Sequence, residues 1–140
     1  MKGAIDGTES TRWSSGQPQA PGDYFQIDMG SDQIFNQITL DTGPNNAGDY
    51  PRWYEVYFSE DGSNWGTAYV SGPGTGQVAT VDLPGTQRAR FIRVVQTQSS
   101  GSWWSIAEFN VALVLTRSTW IATASPSSLG QDVYLSLIHI

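Results

Sequence analysis

Three oxygen-bearing side chains stand out by type and placing. The turn AIDGTESTRW (residues 4–13) sets Asp6 and Thr11 among small residues, and Glu108 lies between apolar neighbours in WWSIAEFNV (103–111). Hard cations such as calcium take about six to eight oxygen ligands, and a mixture of backbone carbonyls with one or two carboxylates suits a rigid site. The alternative is that Asp6 caps its own turn while Glu108 pairs with an arginine. Spacing alone leaves both open. A second polar group fills the stretch DTGPNNAGDYPRW (41–53), where Asp41, Asn45, Asn46, Asp49, Tyr50 and Arg52 carry donors and acceptors in quick succession. Such a loop either grips hydroxyl groups or is solvated and turned by its asparagines.

Catalytic sets are not among these patterns. Glycoside hydrolysis needs two carboxylates roughly 5–9.5 Å apart, one with a raised pKa. Asp49 and Glu55 are candidates only in the sense that any β protein with 13 acidic residues supplies some. The sequence has no nucleophile elbow, HExxH or glycine-rich phosphate loop. Its single histidine, His139, is one residue from the end and is expected to be incidental. The expectation is a protein that binds rather than cuts, with a small glycoside hydrolase as the remote alternative.

The composition bounds the elements that must position these groups. A chain of 140 residues has room for one domain. It has 15 glycines, 7 prolines, 12% aromatic and only 14% charged residues, the composition of a turn-rich β protein. Thirteen acids against seven bases give a formal charge of -6 with no basic run, which argues against nucleic acid and anionic membrane as partners. With no cysteine, disulfides and thiolate metal sites are excluded. No run of about 18 apolar residues is present to span a bilayer, and MKGAID has no apolar stretch resembling an export signal.

Period-two alternation predicts short strands. Phe25, Ile27 and Met29 share one face of YFQIDMG, and Tyr54, Val56 and Phe58 share one face of YEVYFS; QITL (37–40), GQVATVDL (76–83), RFIRVVQT (90–97) and FNVALVL (109–115) complete the series. Turns rich in Gly, Pro, Asn and Asp separate them, and no segment shows a capped helical period. The fold class expected is all-β, an antiparallel β-sandwich or jelly roll.

The stretches AIDGTESTRW, YFQIDMGS, YEVYFSEDGSNWG, RARFIRVVQT and WWSIAEFNV, in this order, resemble the factor V/VIII type C (discoidin) domain in its bacterial form, a family 32 carbohydrate-binding module. The likeness covers roughly residues 3–112. It implies an eight-stranded galactose-binding-like jelly roll and a structural calcium held by Gly3, Asp6, Thr8, Thr11, Ala107 and Glu108, tying the first loop to the last strand. It also implies a sugar site on the loops, where an aromatic ring stacks on a pyranose and polar groups hold its hydroxyls. Trp103 matches an aromatic that the family places against its ligand, while Trp104 beside it points the other way if the strand has begun. Arg52, Asn45, Asn46, Asp41, Tyr50 and Gln17 are expected around that rim; Trp13, Trp65 and Phe109 are expected in the frame.

Where galactose-binding members carry a histidine after the first motif, this chain has Ser14, and an arginine found in some members is replaced in the stretch Asp41 to Pro44. Arg52 is the substitute at hand. β-Glucan and chitosan are therefore expected at least as much as galactose-containing polymers, and the acidic balance suits a cationic glucosamine polymer. The implied function is a non-catalytic module that keeps an attached carbohydrate-active enzyme near its polysaccharide, secreted or at a bacterial cell surface. The alternative is a discoidin-type adhesion module docking on protein or membrane through Trp53 and Trp103, for which the basic rim is missing.

The chain divides into a module at 1–116 and a tail at 117–140. Family members carry a strand before the first motif that is lacking at the front here, while RSTWIATASPSS (117–128) resembles it at the back. That segment is expected to belong to a next repeat, to fold back onto the open edge, or to swap into a dimer. Residues 133–140 are expected to be non-native sequence.

Overall fold

In the computed structural model, residues 2–117 and 119–125 are described. Among the described residues seven strands form: β1 (Trp13–Gln19), β2 (Tyr24–Asp41), β3 (Trp53–Ser59), β4 (Val70–Pro73), β5 (Val78–Gln96), β6 (Ser100–Ile106) and β7 (Glu108–Ala112). All pairings are antiparallel, in a five-stranded sheet ordered β4-β3-β5-β2-β7 and a two-stranded sheet of β1 and β6. Two single-turn 3-10 segments, Lys2–Ala4 and Pro44–Asn46, are the only helical pieces among the described residues.

The alternation expected from sequence produces the core. Phe25, Tyr54 and Val56 are buried on the phase predicted for them, and Ile27, Met29 and Phe58 pack beside them. Opposite, Trp104 and Ile106 descend from β6. Trp13 bridges the sheets, with its ring 5.2 Å from Trp104 edge-on and 5.2 Å from Phe25. Phe25 in turn lies 5.7 Å from Phe109 of β7. Trp13 and Phe109 thus serve the frame, each aromatic contact adding roughly 0.5–1.5 kcal/mol beyond area burial.

Several strands differ from the sequence expectation. The stretches 24–30 and 37–40 are parts of one long β2, and residues 78–83 and 90–96 of the two later stretches are parts of β5. Register shifts between Asp28 and Gln33 and between Phe35 and Gln37 absorb the interruptions. At the first shift Gly30 has a φ of 82° and donates its N–H to Asp28 Oδ1 at 2.8 Å. β1 and β6 lie where Gly and Pro suggest turns: β1 carries Gly16 and Pro18, tolerated because it belongs to a two-stranded sheet. The eighth strand implied by the resemblance is not among the described residues. After β7, Asn36 clamps Val114 through both its amide groups, and residues 119–125 are in no strand, with Ile121 88% exposed. Residues 118 and 126–128 of the strand-like tail, His139 and the segment 133–140 lie outside the described residues.

Candidate functional site

Two groups of candidates come together, at different places. The first joins the opening turn to the start of β7. Asp6 Oδ1 accepts the Thr8 N–H at 3.1 Å, and Thr11 donates its hydroxyl to Asp6 Oδ2. That hydroxyl bond above all holds the Asp6 carboxyl below its ordinary pKa. Gly3 lies so close to the backbone of Arg12 that a Cβ on it would fall 2.8 Å from the Arg12 nitrogen, so the first turn folds directly onto the end of the loop. On the other side, Ala107 donates its N–H to the Asp41 carbonyl at 2.7 Å, which fixes where Glu108 begins.

Glu108 faces Asp6. Burial raises its pKa, the N–H groups of Gly7 and Thr8 oppose that shift, and the Asp6 carboxylate adds to it. Its Oε1 is buried without a hydrogen-bond partner among the described residues. An orphaned buried carboxylate oxygen beside a second carboxylate is a costly arrangement, and a cation between them removes both penalties. Among the described residues no cluster of three or more His, Cys, Asp or Glu exists, so hydroxyl and carbonyl oxygens would complete the shell, as hard cations prefer. The residues present therefore fit calcium.

The second group surrounds Arg52. Its guanidinium lies 3.9 Å over the Tyr50 ring and donates to Gly48 O at 2.9 Å, Ser102 Oγ at 3.1 Å, Ser100 Oγ at 3.3 Å and Tyr50 O at 3.4 Å. The loop before β3 is thereby pinned to β6. Trp103, next to Ser102, is 44% exposed, whereas Trp104 is fully buried, so the pair divides between surface and core as strand alternation requires. Asp49 adds a latch: its Oδ2 accepts the Ser105 hydroxyl at 2.7 Å and its carbonyl the Ser105 N–H at 3.0 Å. Glu55, the other acid considered for hydrolysis, accepts the Tyr57 hydroxyl at 2.6 Å.

Beneath this face lies a buried amide hub that the sequence did not announce. Gln19 donates to the carbonyls of Tyr50 and Trp103, each at 3.0 Å, and accepts from the Arg52 N–H at 3.3 Å and from Gln96. Gln96 Oε1 accepts the Trp53 N–H at 3.3 Å. Both glutamines are buried at inward positions of their strands, and that phase was the one signal available. Ser100 and Ser102 were missed for a simpler reason, since serines in a Gly/Ser stretch look like turn material.

The remaining candidates are placed elsewhere. Asp41 spends Oδ1 on the Gly43 N–H at 2.8 Å and on Gln77 at 3.4 Å, and it sits opposite Glu108 in the β2–β7 register. Asn45 and Asn46 form the 3-10 turn, with Asn45 exposed. Gln17 borders a cleft with Trp13 and Tyr24. Trp65 is half-buried against the Arg93 guanidinium, 4.1 Å from its ring.

Comparison with known proteins decides the family. The model of the F5/8 type C domain matches residues 1–109. The chain belongs to the F5/8 type C domain family. A galactose oxidase of Gibberella zeae is 37% identical over 119 residues, which cover 77% of this chain and 17% of that protein, so the domain spans about a sixth of the length of the curated relative it matches. That relative is fungal, and the expected bacterial source has no support from it. Among solved structures, a family 32 carbohydrate-binding module of Clostridium perfringens in complex with GalNAc-β-1,3-galactose superimposes with a TM-score of 0.64 at 27% identity, over 79% of this chain and 81% of that one. Chitosan-binding module 2 of a chitosanase/glucanase from Paenibacillus sp. IK-5, in complex with chitotriose, gives 0.65 at 29% identity, over 78% and 82%. This F5/8 type C domain therefore has the antiparallel sandwich of the family 32 modules.

Proposed function

We propose that this F5/8 type C domain is a non-catalytic carbohydrate-binding module that holds an attached enzyme at a polysaccharide outside the cell. The observation that carries this is Trp103, an exposed indole on a strand whose neighbouring serines are locked to Arg52. An indole held in place stacks on the apolar face of a pyranose with little ordering cost. The relatives bind GalNAc-β-1,3-galactose and chitotriose, which supports a glycan ligand of the amino-sugar, β-glucan or galactose-containing type. The net charge of -6 favours the cationic or neutral members of that set. A shallow face buries little of its ligand, so the dissociation constant per site is about 10 µM to 1 mM.

The same proposal gives Asp6 and Glu108 a structural calcium, supported by the unpartnered Glu108 oxygen and by the second carboxylate facing it. Gly3, Thr8, Thr11 and Ala107 would supply the remaining oxygens. The ion would brace the opening turn against β7 and take no part in any reaction.

Affinity electrophoresis through gels containing chitosan, laminarin, galactan or cellulose tests the function. Retardation by one polymer, abolished in Trp103→Ala, is the expected result. Equal migration of both proteins in all four gels would remove the reading.

A further inference from the structure

A cleft of about 270 Å³ opens between β1 and the first residue of β2, walled by Trp13, Gln17, Asp23 and Tyr24. A second hollow, of about 290 Å³, continues on the other side of Tyr24 against Tyr57, Trp65 and Arg93. Gly22 and Tyr24 border both, and neither Trp103 nor Arg52 borders either. Tyr24, 54% exposed, therefore stands as a ridge between the two hollows and forms one trough with them, lined by neither Arg52 nor Trp103.

The ring is braced rather than loose. The Arg93 guanidinium lies 4.6 Å from the Tyr24 ring centroid and 4.1 Å from that of Trp65, so it is shared by two aromatic faces. Gln26 Oε1 accepts from the same guanidinium at 3.0 and 2.8 Å, which leaves it little freedom to turn. An aromatic held in this way loses little entropy when something stacks on its open side.

Polar capacity surrounds the ring. Gln17 is bonded through its carbonyl, which accepts the Ser15 hydroxyl, and Asp23 through Oδ2, which accepts the Ala20 N–H at 2.9 Å. Among the described residues the Gln17 amide, the second Asp23 oxygen and the Tyr24 hydroxyl have no protein partner. A fixed ring with uncommitted donors and acceptors on one rim is the chemistry that holds a pyranose. On the Gln17 side of Tyr24, where Arg93 is not part of the wall, Asp23 favours neutral or amino-bearing units over uronates.

We propose that the Tyr24 trough is a second carbohydrate site, taking a neutral or amino-bearing pyranose of the polymer that Trp103 engages. The proposal rests on the reading of the domain as a sugar-binding module. Its consequence is two weak contacts on one rigid body, which raises retention on a polymer through effective concentration although each contact stays weak.

The test is an amide NMR titration of the full chain with chitotriose, laminaritriose and galactobiose in turn, on wild type, Trp103→Ala, Tyr24→Ala and Gln17→Ala. Two groups of shifting amides are expected with the sugar that binds, one near 50–52 and 100–103 and one near 15–17, 22–24 and 93. Tyr24→Ala should erase the second group, keep the first and lower affinity for the polymer about threefold to tenfold. Gln17→Ala, an exposed change that leaves the fold intact, should weaken the second group alone. Shifts confined to the first group, with polymer affinity unchanged in Tyr24→Ala, would overturn the second site and leave the Trp103 site standing. Shifts with none of the sugars would overturn the reading on which both depend.

Discussion

The Asp6–Glu108 corner and the Arg52–Trp103 face use polar groups in opposite ways. At the corner, two carboxylates converge and one buried oxygen is left without a partner. At the face, the polar side chains are consumed by protein: Arg52 makes its bonds to serines and carbonyls, and Gln19 ties the loop to β6 from below. What stays open there is an aromatic surface. On the proposed reading the corner is completed by an ion, whereas the face is assembled from protein contacts alone. Under that proposal ion binding at the corner would add to folding free energy, and sugar binding at the face would be a weak, reversible equilibrium.

That contrast can be broken most visibly at the corner. With free calcium at about 100 times its dissociation constant, the folded state gains roughly 2.7 kcal/mol, and chelation should lower the melting temperature by several degrees. Glu108→Ala should abolish the calcium response. Sugar affinity of the chelated, still folded domain should change less than about twofold, since the two regions share no ligand residue. Calorimetry with and without chelator checks the first two, and titration calorimetry the third. A strong loss of sugar binding on chelation would merge the two regions into one.

Arg52→Ala is expected to come next in size. It strips Ser100, Ser102 and the Gly48 carbonyl of their shared donor and frees the loop, at a cost of about 1–3 kcal/mol in stability. Binding should fall at least about tenfold because Trp103 loses its fixed surroundings. Arg52→Lys should restore little, as one ammonium cannot reproduce the forked contacts or lie flat on Tyr50. Equilibrium unfolding and affinity gels of the three proteins separate the effects.

A smaller effect tests the frame that carries both regions. Asp61 accepts the N–H groups of Ser63 and Asn64, each at 2.8 Å, together with the Asn64 side chain and the Ser59 hydroxyl. These bonds, led by the Asn64 N–H, hold its carboxyl far below the ordinary aspartate range. A carboxyl depressed in the folded state contributes stability above its unfolded pKa and loses it as pH falls through the folded value. Its contribution should therefore be intact at neutral pH and fade progressively below about pH 4. Asp61→Ala should show a lower melting point at pH 7 and a difference from wild type that shrinks on acidification, measured by circular dichroism. Neither the calcium response nor sugar affinity should move.

Legibility in the sequence followed the same divide. The faces of YFQIDMG and YEVYFS were plain because alternation of apolar side chains is a local signal, and the core confirms them at Phe25, Tyr54 and Val56. Asp6 and Glu108 stand out in the sequence because acids among small or apolar residues are out of place. β1 was hidden because Gly16 and Pro18 interrupt its alternation, and β6 because its first residues are serine and glycine. The Gln19–Gln96 hub was illegible for a further reason: an amide at an inward position is explained only by partners from β3, β6 and the loop before β3, which long-range pairing alone assembles. Asp41, Asn45 and Asn46 show the converse, since a dense polar loop told nothing of which side chains the turn itself would use. Of that loop, Arg52, through Ser100 and Ser102, and Asp49, through Ser105, bond to the strand that carries Trp103.

The measurement that bears most directly on the central claim is titration calorimetry of wild type, Trp103→Phe and Trp103→Ala with an oligosaccharide of whichever polymer retards the domain. A ring stacked on a sugar predicts an affinity loss of at least about tenfold for alanine, a partial loss for phenylalanine and unchanged melting temperatures for both. Equal affinity in all three proteins would contradict the account, because it would leave the exposed indole of β6 with no part in holding the polymer.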